Sequence, residues 1–304
     1  MKQIRIIIAA LSMTVIVSSC DKDDDLGNVD NIPGLGGDEW VQGAIDKWIL
    51  DSLTVPYNIA VKYKWDQSEV PLNRTLVPPN EEKVIPVLSS ISKGWIQPYI
   101  DQAGVLFFKR ISPKFFTLVG SPSFNSDGSI TLGTAEGGRK VVIYDLNNFR
   151  IKGMPGYTPS DTSRVLMMFW VINHEFAHIL DQNIKVPLEF SESSASSYTS
   201  DWTNVSPQDA LNEGFISQYA ISAKEEDWAE MVGLMLVHGR AWFDNMVNSI
   251  NYTGTTANGT TADEARARLR QKEAVVVSYF KQAWNIDFYS LQQRSRNAIT
   301  SLLY

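Results

Sequence analysis

Two of the three histidines in this 304-residue chain lie four positions apart, in the run His174-Glu175-Phe176-Ala177-His178. On an α-helix, residues at this spacing lie one above the other, so both imidazoles can reach a single ion. Glu175 would then lean towards the open side of that ion, where it can act as a general base. The spacing predicts a zinc site and a metal-dependent hydrolase.

A hydrolytic zinc site needs three protein ligands and an open fourth position, so another ligand must come from elsewhere in the chain. The metzincin arrangement would place a glycine and a third histidine three and six residues after His178. Those positions hold Asp181 and Ile184, which excludes that arrangement. The other common solution is a glutamate from a later helix.

Segment 225–233 is the best source of that glutamate, because Glu226 and Glu230 are one helical turn apart and project from the same face. We expect Glu226 to bind the ion and Glu230 to accept the free N–H of a ligating histidine. Glu225 is an alternative ligand, displaced by one position. The acidic run could also be a solvated first turn that complements the helix dipole.

Small residues on the same helix face support the ligand interpretation. Ala229 and Gly233 would let this helix approach the histidine helix closely at Ala177. The third histidine, His238, lies near the same face but is expected to have a structural role, as a lone histidine on an apolar helix usually does. We therefore leave His238 out of the site.

The N-terminus resembles a bacterial lipoprotein export signal. Lys2 and Arg5 precede an apolar stretch, 6–17, that is too short to span a bilayer, and small residues precede Cys20. Residues 1–19 are thus expected to be a signal peptide and Cys20 the acylated residue. The acidic run at 21–25 resembles the tag that sends lipoproteins to the outer face of the outer membrane, so an outer-membrane protein facing the cell exterior is expected.

Composition narrows the class of protein further. The formal net charge is −7, which repels nucleic acid, so no nucleic-acid partner is expected. Cys20 is the only cysteine, so no internal disulfide can form. Residues 20–37 are acidic and glycine-rich, as in a flexible tether, and 38–304 are expected to form one catalytic domain.

The pattern of apolar residues predicts an α+β fold, with a small N-terminal mixed sheet and helices followed by a mainly helical C-terminal half. The expected elements are a helix over 41–49 ended by Pro56, a strand over 58–65, a helix over 84–104, a strand over 105–119 and a hairpin over 130–147. After Thr158 the pattern is helical apart from a polar loop at 186–206. The helix that leads into the histidines is expected to be buried on all sides over 165–173.

The two ligand segments, together with Tyr219 seven residues before Glu226, look like the gluzincin site of the anthrax-lethal-factor type. The mature chain resembles a Bacteroidetes lipoprotein family described as substrate-import-associated zinc metallohydrolases, or putative zinc-binding metallopeptidases. The segments that carry this resemblance are Asp46-Lys47-Trp48-Ile49, Pro56-Tyr57-Asn58-Ile59, Val61-Lys62-Tyr63-Lys64-Trp65, Lys93-Gly94-Trp95-Ile96 and Glu213-Gly214-Phe215-Ile216-Ser217-Gln218-Tyr219-Ala220.

The resemblance implies a zincin-like metallopeptidase fold, one catalytic Zn²⁺, and an outer-membrane import receptor with its binding lipoprotein as partners. On matching positions it implies His174, His178 and Glu226 as ligands, Glu175 as the catalytic carboxylate and Tyr219 as its helper. Reasoning from the residues alone reaches the same set except for Tyr219, which composition leaves as one of 11 tyrosines. The resemblance supplies no substrate.

Two classes of function remain open. The first is a cell-surface zinc metallopeptidase acting on peptide or protein, and hydrolysis of a non-peptide ester or amide would use the same residues. The alternative is an accessory binding lipoprotein of a nutrient-import system that retains the zinc without catalysis. Glu175 favours the enzyme, since a structural site has no need of a base beside its ligand. Strand 140–146 is expected to be the edge on which an extended substrate pairs.

Overall fold

The computed structural model describes residues 41–125, 130–131, 133–136 and 140–304. The predicted signal peptide, the acylation site at Cys20 and the tether all lie outside the described residues. Residues Gly43–Tyr304 form one compact unit. Within the described part of the chain, no helix combines the length and apolar character that crossing a bilayer requires.

The first helical segment is longer than its apolar pattern predicts. Helix α1 (Ala44–Ile49) continues through a π-helical turn, Leu50–Thr54, into a short helix α2 (Val55–Tyr57). Pro56 was expected to end the helix, but it lies in the first turn of α2, where a proline needs no N–H partner. The segment ends instead at Asn58, which adopts the left-handed conformation with φ 59°.

A second long helical segment crosses the N-terminal half. It consists of α3 (Glu81–Ile91), a π-helical turn (Ser92–Ile96) and α4 (Gln97–Ile111). The prediction of a strand over 105–119 is therefore wrong for residues 105–111, which are helical. The buried Phe108 and Ile111 in this segment follow helical spacing. The helix ends at Ser112, whose ψ of 150° is the extended conformation favoured before a proline.

A four-stranded mixed sheet lies beside these helices. Its strands, in spatial order, are β1 (Ala60–Lys62), β2 (Phe115–Leu118), β6 (Lys140–Ile143) and β5 (Gly133–Glu136). β1, β2 and β6 are parallel, and β5 is antiparallel to β6. A separate pair is formed by β3 (Ser123–Phe124) and β4 (Ile130–Thr131).

The hairpin predicted over 130–147 is confirmed for 133–136 and 140–143 by the pairing of β5 with β6, where Glu136 lies opposite Lys140, whereas Ile130–Thr131 pair with β3. The prediction that strand 140–146 forms the edge of the sheet is wrong, because β2 pairs with every residue of β6 on its other side. In the part of the sheet that the structure describes, β5 is the terminal strand on this side. Alternation along one strand cannot reveal this, since strand order depends on distant partners.

The C-terminal half is helical, as predicted. Its helices are α5 (Thr162–Asn183), α6 (Glu189–Glu192), α7 (Pro207–Asn212), α8 (Lys224–His238), α9 (Arg240–Ser249), α10 (Ala262–Trp284) and α11 (Phe288–Leu303). The start expected at Thr158 is present as a short 3₁₀ turn, in which the Thr158 backbone N–H donates to Asp161 Oδ2 at 2.8 Å. The α+β fold class is thereby confirmed.

Helix α5 packs against the N-terminal half of the compact unit Gly43–Tyr304. Its inner face packs against aromatic rings of the N-terminal half, with the Phe176 ring 5.3 Å from Trp95 and 4.9 Å from Tyr99. The prediction that this helix is buried on all sides over 165–173 is wrong, however, because Met167 is 37% exposed and Trp170 is only partly buried. These apolar side chains face a cleft, which apolar composition alone does not distinguish from a core.

Candidate metal centre

The histidine pair lies in the C-terminal half of α5, on the side of the helix that faces the cleft. The neighbouring side chains Phe176 and Ala177 are fully buried in the core. Because this inner face is held by packing, the outward directions of His174, Glu175 and His178 are set by helix geometry. His174 is 6% exposed, and all three side chains line the cleft.

Helix α8 lies against α5 at the two small residues that the sequence singled out. A Cβ atom added to Gly233 would lie 3.2 Å from the backbone nitrogen of His174 and 3.0 Å from Cδ1 of Trp170. The Trp228 indole N–H donates to the Ala177 carbonyl at 3.1 Å and links the two backbones. This close approach brings the first turn of α8 over the histidines.

Three potential ligand atoms meet at this point. His174 Nε2 lies 3.1 Å from Glu226 Oε2, His178 Nε2 lies 3.3 Å from the same oxygen, and the two Nε2 atoms are 3.2 Å apart. In the part of the chain that the structure describes, these residues form a group that could hold a metal. A tetrahedron with ligands at about 2.0–2.1 Å has edges of roughly 3.3 Å, so the set fits Zn²⁺.

Glu225, the alternative ligand, lines the same cleft but does not belong to the group of three. Its side chain is 54% exposed, with Lys224 as an ion-pair partner at 3.8 Å. His238 lies elsewhere on α8, stacked on Trp242 with ring centres 4.6 Å apart. The structure thus brings His174, His178 and Glu226 together and leaves Glu225 and His238 out.

Glu230 contacts the other nitrogen of His174. Its Oε1 lies 2.8 Å from His174 Nδ1 and accepts the indole N–H of Trp170 at 3.1 Å, while its Oε2 accepts the hydroxyl of Ser217 at 2.5 Å. A carboxylate can only accept, so Nδ1 carries a hydrogen, and Nε2 is the nitrogen that can give its lone pair to a metal once its own proton is displaced. Sequence reasoning missed Trp170 and Ser217, because neither has a spacing relation to Glu230.

The two carboxylates also control the charge of His174. Burial lowers the pKa of this histidine, but the hydrogen bonds to Glu226 and Glu230 outweigh burial and raise the pKa to about 9. Burial raises the pKa of Glu226, yet hydrogen bonds to His174 and His178 bring it well below its ordinary value. In the metal-free chain, a proton on His174 therefore stands in for part of the charge of a cation.

Tyr219 begins a 3₁₀ turn, Tyr219–Ser222, that precedes α8. Its ring stacks on His174 with centres 6.0 Å apart, and its centre lies 5.0 Å from that of the Trp202 ring in an edge-to-face arrangement. Burial, followed by the charge of Glu226, raises the pKa of Tyr219 above its ordinary value. The phenol therefore stays protonated and can donate a hydrogen bond beside the metal position.

The cleft around these groups has a volume of about 670 Å³. One wall is apolar and the remainder carries the ligands and further carboxylates. The lining residues are Ile130, Thr131, Gly133, Thr134, Met167, Trp170, Val171, His174, Glu175, His178, Gln182, Tyr219, Glu225 and Glu226. None of these described residues is a lysine or arginine, so no permanently positive side chain among them repels a cation.

A buried ion pair holds the first turn of α8 to α10. Lys272 Nζ lies 2.7 Å from Asp227 Oδ2, and both side chains are fully buried. The Tyr198 hydroxyl donates to the same Asp227 oxygen at 2.8 Å. The sequence analysis treated Asp227 only as part of an acidic turn, and it gave no signal for a partner 45 residues away in the chain.

Comparisons with known proteins agree with this geometry. The model of the family described as "Putative zinc-binding metallo-peptidase" matches residues 38–289. A crystal structure of a "putative zinc-binding metallo-peptidase" from Bacteroides caccae has 28% sequence identity and a TM-score of 0.67, with 85% of this chain and 92% of that chain covered. No curated protein matches.

Proposed function

Since the chain belongs to the family described as "Putative zinc-binding metallo-peptidase", we propose that it is a cell-surface metallopeptidase that hydrolyses peptide bonds with one Zn²⁺. The observation that carries this proposal is the triangle of His174 Nε2, His178 Nε2 and Glu226 Oε2, with sides of 3.1 to 3.3 Å. The described residues supply three ligands that face an open cleft, as in catalytic rather than structural zinc sites.

A bound zinc ion would lower the pKa of its water towards about 7 and polarise a substrate carbonyl. Glu175 lines the cleft next to His174. Its charge adds to burial and to the nearer carboxylates in raising the pKa of Tyr219, and it adds to Glu226 and Glu230 in raising the pKa of His174 against the effect of burial. In the proposed mechanism, the Glu175 carboxylate takes a proton from the attacking water and passes it to the leaving nitrogen. The Tyr219 hydroxyl would donate to the carbonyl oxygen, where negative charge builds up.

The expected substrate is an extended peptide. Gly133 and Thr134 of strand β5 line the cleft beside α5, where Gly133 packs against Val171, so we assign to β5 the role that the sequence had assigned to strand 140–146. A peptide backbone pairing with β5 would lie across the metal position, with side chains alternately directed towards Met167 and Val171 or away from them. The apolar wall favours at least one apolar side chain near the cleaved bond.

The proposed setting rests on the sequence. Acylation at Cys20 would anchor the protein in the outer membrane, facing the exterior, where an import receptor and its binding lipoprotein would be partners. Incorporation of a labelled fatty acid into the wild type but not into a Cys20→Ala variant would support the anchor. Resistance of the protein to protease added to intact cells would contradict the outward orientation.

The activity is tested with Glu175→Gln, which keeps the size of the side chain but removes the base. Purified wild type loaded with Zn²⁺ should produce defined cuts in a complex peptide mixture. The variant should bind zinc as the wild type does and lose activity by on the order of 10²–10⁴-fold. Equal turnover by wild type and variant would contradict the mechanism, and a zinc-loaded wild type that makes no cuts would favour the binding-lipoprotein alternative.

A further inference from the structure

Ser217 lies outside the metal ligands and outside the lining of the cleft, yet its hydroxyl makes two contacts that lead to the site. Its Oγ donates to Glu230 Oε2 at 2.5 Å, which is short for a hydrogen bond and typical of a charged acceptor. The same oxygen accepts the backbone N–H of Ala220 at 3.1 Å. One side-chain oxygen therefore connects α8 with the segment that precedes it.

The first contact completes the surroundings of a buried carboxylate. Glu230 is 1% exposed, and its Oε1 already serves both His174 Nδ1 and the Trp170 indole. Among the residues that the structure describes, Ser217 is the one that donates a hydrogen bond to Oε2. Loss of this hydroxyl would leave a buried charged oxygen without that donor, which favours rotation of the carboxylate and with it a change in the orientation of the His174 ring.

The second contact fixes the turn that carries Tyr219. The N–H of Ala220 is one of the first backbone donors of the 3₁₀ turn Tyr219–Ser222, and such donors have no partner within the turn. Ser217 supplies that partner from just outside the turn, as a capping hydroxyl does. The Tyr219 ring, stacked on His174, is thus held by the same oxygen that holds the carboxylate behind His174.

We propose that Ser217 is a positioning residue that sets the orientation of the ligand His174, through Glu230, together with the position of Tyr219. This inference rests on the proposed zinc function. It extends that function by assigning the alignment of a metal ligand and an oxyanion donor to a single hydroxyl that touches neither the metal position nor the cleft. Removal of that hydroxyl should therefore change metal binding and turnover together.

The test compares Ser217→Ala with Ser217→Thr, which keeps a hydroxyl. Zinc affinity is measured on folded protein by competition with a chelator, and peptide cleavage gives kcat and KM separately. Ser217→Ala should weaken zinc binding by roughly 10–100-fold and lower kcat with little change in KM, whereas Ser217→Thr should retain most of both. If the alanine variant does not fold, Ser217→Cys, with its weaker donor, should show an intermediate loss.

Two further variants separate this role from general support of the turn. Ser222→Ala is a matched control, because the Ser222 hydroxyl lies in the same turn and donates to the Tyr219 carbonyl at 2.7 Å, whereas the described donor hydroxyl to Glu230 is that of Ser217. It should leave zinc affinity unchanged. In a Glu230→Gln background, Ser217→Ala should add little further loss, since residues that act through one contact are not additive.

The outcomes distinguish this inference from the proposed function. A wild type that binds zinc and cleaves peptide, beside a Ser217→Ala variant with the same zinc affinity, would overturn the role of Ser217 alone. Full additivity of the Ser217 and Glu230 substitutions would do the same, because Ser217 would then act by another route. A wild type that binds no zinc would overturn both proposals.

Discussion

Replacement of Lys272 by methionine should destabilise the whole compact unit and not only the site. Lys272 Nζ makes the 2.7 Å ion pair with Asp227, donates to the Gly214 carbonyl at 2.9 Å and lies 4.1 Å above the centre of the Phe215 ring. Methionine has a similar length and can fill the volume, so packing should survive while the charge is lost. The ionised Asp227 would then be buried with Tyr198 as its remaining donor.

The expected loss follows from the full burial of the pair. Removing one partner of a buried ion pair costs about 3–5 kcal/mol, because the other charge is left uncompensated. Asp227 has no second partner that could replace Lys272, since its Oδ1 has no hydrogen-bond partner among the described residues. With an unfolding entropy of about 2.1 cal/mol/K per residue over Gly43–Tyr304, the melting temperature should fall by roughly 5–9 °C.

The assay is urea unfolding of the metal-free protein, so that zinc binding does not contribute to the free energy of unfolding. Lys185→Met is the matched control, because Lys185 pairs with Asp181 at 2.8 Å but is 77% exposed and should give no measurable change. Adding Asp227→Asn to Lys272→Met should recover much of the loss, since asparagine is neutral and can still accept from Tyr198. A Lys272→Met variant as stable as the Lys185 control would refute the reasoning, as would a double variant no more stable than the single one.

Three other predictions concern the metal centre. Gly233→Val should weaken zinc binding at least about tenfold and lower the free energy of unfolding by about 1–3 kcal/mol, since even a Cβ would lie 3.2 Å from the His174 backbone. Gly43→Val is the control and should change neither quantity, because the nearest described atom to a Cβ at that position is 3.6 Å away. Equal effects of the two substitutions would argue against close helix packing. Glu226→Gln should abolish tight zinc binding in a chelator competition while Glu225→Gln retains it, and the reverse result would identify Glu225 as the ligand. The pKa of His174 is raised to about 9, and zinc requires the neutral ring, so between about pH 6 and about pH 7 the metal must displace this proton. Zinc affinity should therefore rise by about tenfold per pH unit over this range. A flat profile would show that His174 is not a ligand.

Local geometry explains why the histidine motif could be read from the sequence. The i, i+4 relation of His174 and His178 depends only on helix formation, and the apolar pattern around them indicates a helix without reference to any other segment. The start of α5 near Thr158 and the hairpin of β5 with β6 are likewise local features, and both were predicted. Gly104 shows the limit of local patterns. The helix was predicted to end at this glycine, but its φ of 82° only interrupts α4, which resumes beyond it.

Tertiary structure decided the features that depend on distant partners. The strand at the edge of the cleft is β5 rather than β6, because β2 occupies the other side of β6. The choice between Glu226 and Glu225 depends on the rotation of α8 against α5, which the contact at Gly233 sets. No sequence spacing relates Ser217 to Glu230, or Lys272 to Asp227, as partners.

The sequence by itself therefore determined the kind of metal centre, since a helical turn is enough to pair two imidazoles and a base. Only the folded chain decided which carboxylate completes the centre and which buried groups hold it in place. The physical reason is that helix periodicity acts over a few residues, whereas burial and charge pairing act between segments that meet only in the packed core.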